Sequence, residues 1–130
     1  MIFFDSSALV KLVVREPETA ALRTWLTAHE GQPWGASSLV RVEVVRACRR
    51  LAPSGVPIAR ALLTGVDLVP LSGQVLDVAA DLADPLLRSL DAIHLASAAE
   101  LQEELTAFVV YDHRLAQAAV EAGLPVVRPS

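Results

Sequence analysis

The stretch "TAFVVYDHRLAQAAVEAGLPVVRP", Thr106 to Pro129, decides the fold. Residues 106–112 are rich in β-branched and aromatic side chains and end in an acid, which reads as a strand. Residues 113–123 space their apolar positions as a helix does and close on Gly123. Residues 124–129 turn β-like again. A helix between two strands leaves no place for a hairpin, so the strands are expected to run parallel with the helix crossing over.

Outward from this unit the same alternation returns. "IFFD" (2–5) is a strand ending in an acid, followed by a helix at 6–14 and another at 16–31 with Pro17 near its start and Gly31 at its stop. "PWGAS" (33–37) is a strand, and Ser38 is expected to cap the helix "LVRVEVVRACRRLA", which Pro53 ends. A helix at 56–65, a strand at 66–71, and helices at 72–83 and 86–100 complete the chain. This order predicts a single α/β domain over residues 1–130, three layers α/β/α with a mainly parallel sheet. Ligands of such sheets bind outside the carboxyl ends of the strands.

Composition narrows the functional classes. The chain has 130 residues, enough for one core and too few for two. No apolar run approaches the ~18 to 20 residues of a membrane span. The opening "MIFFDSSALVKL" has no basic leader or small-residue cleavage pattern, and the one cysteine, Cys48, has no partner for a disulfide. A cytoplasmic protein is the expectation. A net charge of -4 argues against coating nucleic acid through bulk positive field. Four arginines nevertheless gather in "RVEVVRACRR", at 41, 46, 49 and 50, where a solvated helix face is the ordinary explanation.

Four acids invite a further reading. Asp5 and Asp112 end strands, so a parallel sheet brings both out on one edge. Glu43 shares a helical face with Leu39, Val40 and Ala47, and Asp91 shares one with Leu87, Leu95 and Ala98. Each alone has a plain structural role: Asp5 and Asp112 as helix caps, Glu43 as a partner of Arg46, Asp91 in a first helical turn after Ser89. Together they would raise one another's pKa unless a cation intervened. Hard ions such as Mg²⁺ and Mn²⁺ take such oxygen donors and keep open positions for a phosphate. An acid set without His/Cys ligands therefore points to phosphoryl chemistry rather than zinc.

These residues carry a resemblance. "FFDSSALVKLVVREPE", "SSLVRVEVVRA", "RSLDAIHLASA" and "VVYDHRLAQAAVEAGLPVVRP" are similar, nearly end to end, to PIN-domain ribonucleases of the VapC type, the toxins of toxin–antitoxin pairs. The resemblance implies a PIN-like fold, hydrolysis of RNA phosphodiesters, and Mg²⁺, with Mn²⁺ as substitute, held by Asp5, Glu43, Asp91 and Asp112. It also implies a hydroxyl near the metal at Ser7, a cognate antitoxin partner and a homodimer. Val110 departs from the pattern, standing where relatives often carry Thr or Ser.

On this reading Asp5 and Asp91 are direct ligands, and Glu43 and Asp112 complete the site directly or through water. Arg41, Arg46 and Arg49 are candidates to guide the RNA backbone. His94 is expected to be a buried or partner-facing helix residue rather than a base. Trp25 and Trp34 are expected in the core or a dimer contact. The apolar "FFDSSALVKLVV" segment leaves room for a groove that takes a partner helix. Rival readings are a Mg²⁺-dependent phosphatase, which needs an acid where Ser7 stands, a receiver-like domain, which needs a lysine near its last strands, and a catalytically inactive protein-binding module.

Overall fold

Alternate residues of the strands divide the core between two faces. In β1 (Ile2–Phe4), Ile2 and Phe4 enter one hydrophobic cluster and Phe3 enters another, and all three are fully buried. The computed structural model describes residues 1–130. Around β1 lie β2 (Trp34–Ser37), β3 (Val66–Val69), β4 (Ala107–Val109) and β5 (Val126–Val127), in the order β3-β2-β1-β4-β5. Every neighbouring pair is parallel.

The first face is covered by α1 (Ser6–Val10), α2 (Thr19–Ala28), α3 (Val40–Leu51) and α4 (Val56–Leu63), through residues such as Leu9, Leu22, Val44 and Ala59. The second is covered by α5 (Gly73–Ala80), α6 (Ser89–Glu100) and α7 (His113–Glu121), through Ala79, Leu95 and Leu115. Phe3 and Phe108, paired in register across β1 and β4, meet edge to face at 5.5 Å and anchor this second cluster. The three layers and the parallel sheet are those that the alternation predicts. No helix is long and apolar enough to cross a membrane.

Starting at β1, the chain steps outward to β2 and β3, then returns to place β4 on the other flank of β1. The connections leaving β1 and β4 thus part at their carboxyl ends and open a crevice there. That is where Asp5 and Asp112 stand.

Three local expectations are corrected. Ser38 does not cap α3: its backbone N–H and its hydroxyl both donate to the Val69 carbonyl, at 2.9 and 2.6 Å, extending the pairing of β2 with β3. The α3 N-cap is Leu39, with no side-chain bond, and Ser37 accepts from the Leu39 N–H at 3.2 Å. The helix foreseen at 6–14 ends at Val10, because Leu12 and Val13 tighten into i→i+3 bonds. Beyond it Thr19 donates to the Lys11 carbonyl at 2.8 Å, and the Lys11 ammonium pairs with Glu18 at 3.2 Å. Finally, "FFDSSALVKLVV" gives most of its apolar side chains to the core rather than to an open groove, leaving Val13 and Val14 partly buried. Phe3, Phe4, Ala8, Leu9, Val10 and Leu12 are all buried core. Trp34 joins the core by packing on Phe4 at 4.9 Å, while Trp25, also packed against the first cluster, stacks on His29.

Candidate active site

Asp5 leaves β1 and caps α1. Its Oδ1 accepts from the Ala8 N–H at 2.9 Å, and the Ser7 hydroxyl lies 3.1 Å from both carboxylate oxygens. The residue is 4% exposed. Burial pushes its pKa up to about 6, outweighing the Ala8 N–H, the nearby His94 charge and the Ser7 hydroxyl, while the neighbouring Asp91 adds to the rise. Asp112 repeats this construction at β4 and α7, its Oδ1 accepting from the Leu115 N–H at 2.9 Å. The plain structural role of each strand-end acid therefore holds, and it does not remove the acid from the crevice: capping by Oδ1 leaves the other oxygen for a second partner.

Asp91 and Glu43 occupy the first turns of α6 and α3, where helix N–H groups favour negative charge. Asp91 is not marooned among leucines. Leu87, Leu95 and Ala98 turn into the core, while Asp91 Oδ2 faces Arg88, 3.1 Å from Nη2 and 3.2 Å from Nε. The same Arg88 guanidinium lies 3.8 Å from Asp112 Oδ2 and so bridges the two acids. Glu43 does not pair with Arg46. Its Oε1 accepts from the Ser6 hydroxyl at 2.7 Å and from His94 Nε2 at 2.6 Å. These bonds, His94 first, hold its carboxyl below the usual range against the opposing effect of burial. His94 is buried, as its helix position predicts.

All four acids line a single cleft of about 470 Å³ with Ser6, Ser7 and His94. Only Val10, Ala47 and Leu51 contribute apolar walls, so the cleft suits a charged, hydrated ligand rather than an apolar one. Arg50 and Arg88 supply its cations and Glu16 a fifth acid; of these the sequence marked only Arg50, as one of the clustered arginines and not as a cleft residue. Arg41 lies elsewhere, beside Arg60 in a depression between α3 and α4, and Arg46 and Arg49 are exposed without lining the cleft. Val110 is fully buried in the second core cluster, so no hydroxyl approaches from that position.

The donor chemistry fits a hard divalent cation: carboxylate oxygens predominate, the one cysteine is buried in the core, and the one histidine present is engaged with Glu43. As they stand, no three His, Cys, Asp or Glu side chains gather closely enough to enclose one ion. The anionic edge is instead offset by Arg88 at Asp91 and Asp112, while burial raises the pKa of Asp5 to about 6. Arg88 was legible as an i,i+3 partner of Asp91. The Glu43–His94 contact was not, since 51 residues separate the two.

Comparison with known proteins agrees with this architecture. The PIN domain family matches residues 2–121. Ribonuclease VapC47 of Mycobacterium tuberculosis (strain CDC 1551 / Oshkosh) is 50% identical over 132 residues, spanning 99% of this chain and 97% of the relative. Among solved structures, Mycobacterium tuberculosis VapC20, a sarcin-ricin loop cleaving toxin, superposes with a TM-score of 0.76 at 20% identity, covering 99% of this chain and 100% of that one. A toxin–antitoxin complex from Klebsiella pneumoniae gives 0.74 at 21% identity, with 100% and 98% covered.

Proposed function

This chain belongs to the PIN domain family and to its VapC ribonucleases, toxins of toxin–antitoxin systems, and on that premise we propose that its acidic cleft cuts RNA with Mg²⁺, or Mn²⁺ in its place. The observation that carries this reading is the meeting of Asp5, Glu43, Asp91 and Asp112, from four separate elements, in one polar cleft at the carboxyl ends of β1 and β4.

Asp5 and Asp91 would hold the ion directly, and Glu43 and Asp112 would complete its surroundings. When bound, the ion supplies an activated water and stabilises charge on the phosphate and the leaving oxygen. Ser7 keeps the Asp5 carboxylate in place by bonding both its oxygens. Arg88, with its side chain 75% exposed, is free to turn from the acids to a phosphate oxygen, and Arg50 offers a second cation on the cleft wall. RNA is thus held by these two arginines in preference to Arg41, Arg46 and Arg49. Such contacts bind the backbone and do not choose a sequence.

The antitoxin and a second copy of the chain are the proposed protein partners. Their contacts fall on exposed apolar residues, Val42, Leu51 and Ile58 of the α3–α4 side and Leu71, Leu76, Leu86 and Leu90 around α5 and α6. Light scattering of the purified chain distinguishes a dimer from a monomer.

The test of the reading is cleavage of RNA by the wild type and by Asp5→Asn and Asp91→Asn in Mg²⁺ and in EDTA. Each variant is expected to lose at least about 100-fold in rate, beyond the losses known for groups that only support metal ligands. Cleavage that survives EDTA, or an Asp91→Asn enzyme as fast as the wild type, rejects it.

A further inference from the structure

His94 is a costly residue for its position. It is 2% exposed in α6 among Ala92, Leu95, Ala96 and Ala98, and its Nδ1 is buried with no hydrogen-bond partner. An orphaned ring nitrogen destabilises a fold, and an aliphatic side chain would fill the same space without it. The other nitrogen is fully used. Because a carboxylate only accepts, Nε2 carries the hydrogen and donates to Glu43 Oε1 at 2.6 Å, with the Ser6 hydroxyl oxygen 3.3 Å away. The Ser6 hydroxyl donates to that same Oε1 at 2.7 Å. Both bonds fall on one oxygen, and no hydrogen bond within the chain falls on Oε2, although Glu43 lines the cleft.

We propose that His94 is a positioning residue: with Ser6 it saturates Oε1 of Glu43, locks the carboxylate in one orientation, and thereby presents Oε2 to a divalent cation in the cleft. The inference rests on the reading of the cleft as a metal-dependent ribonuclease site. A free glutamate side chain must be ordered at the moment an ion binds, and that ordering weakens binding. Here the ordering is already done by a ring that α6 holds rigidly against the core. Groups in this supporting position commonly change metal affinity 10- to 100-fold when removed.

The test is calorimetric titration of Mn²⁺ into the full chain without RNA, together with thermal melting. His94→Leu fills the space without the N–H, and His94→Gln restores an amide N–H within reach of the same oxygen. His94→Leu is expected to weaken Mn²⁺ binding about 10- to 100-fold, and His94→Gln to recover most of the loss. Wild-type affinity in a folded His94→Leu variant overturns the proposal, as does an equal loss in both variants, which would mark a packing role. Should His94→Leu not fold, the half-buried Ser6→Ala decides: weaker Mn²⁺ binding supports the proposal and unchanged binding overturns it. Asp91→Asn separates the two levels of the argument. If it loses RNA cleavage while His94→Leu binds Mn²⁺ normally, only this inference fails; if it cleaves RNA normally, the reading beneath fails.

Discussion

Asp5 holds opposite demands in one side chain. Its backbone place at the end of β1 buries it, and its cap to Ala8 keeps it there, so without a cation it retains a proton to about pH 6 against 3.8 for an ordinary aspartate. The folded chain therefore binds a proton between these values that the unfolded chain has lost. The stabilisation linked to that proton is complete below pH 3.8 and disappears as pH rises through about 6, a change on the order of 3 kcal/mol. Asp5→Asn keeps an oxygen for the Ala8 N–H and removes the charge. In metal-free buffer it is expected to be more stable than the wild type at pH 8, with the difference fading toward pH 4. Urea unfolding at the two pH values checks this, and a constant difference contradicts it. Mn²⁺ should stabilise the wild type more than the variant at pH 8, because the ion relieves the same buried charge.

At the scale of elements, α1 and α7 start on acids that face the cleft, so on the proposed reading capping and chemistry share a residue. Substitution separates them at Asp112. Asparagine is a good N-cap, and Asp112→Asn should leave stability within a few tenths of a kcal/mol while RNA cleavage falls. Asp112→Ala should lose the same activity and about 1 kcal/mol in addition, read from the urea midpoint. Equal activity in Asp112→Asn and the wild type would falsify the role given to this acid. The element boundaries show why some signals were legible and others not. Gly123 marked the end of α7 because its φ of +82° is a conformation that glycine adopts without strain. Ser38 misled because a strand 31 residues away, at Val69, claimed its hydroxyl.

For the molecule as a whole, the cleft exists only while both faces of the sheet are packed. Glu43 comes from the layer over Ile2 and Phe4; Asp91 and His94 come from the layer under Phe3 and Phe108. Phe108→Ala, at the centre of the second layer, is expected to cost about 3–5 kcal/mol, a large part of the roughly 5–15 kcal/mol that holds a domain together. Activity should fall with the folded fraction measured by urea titration, and Mn²⁺ affinity of the folded molecules should stay unchanged; a selective loss of affinity would show that Phe108 acts on the site itself. Alternation of strand and helix in the chain was enough to set the parallel three-layer sheet and to send Asp5 and Asp112 to one edge, because side-chain period and strand direction are local properties. It could not tell which arginines enter the cleft, that Arg88 bridges Asp91 and Asp112, or that Glu43 is gripped by His94. Those contacts join residues whose approach depends on how whole helices pack across the sheet, and packing is decided by the summed burial of many side chains rather than by the spacing of a few.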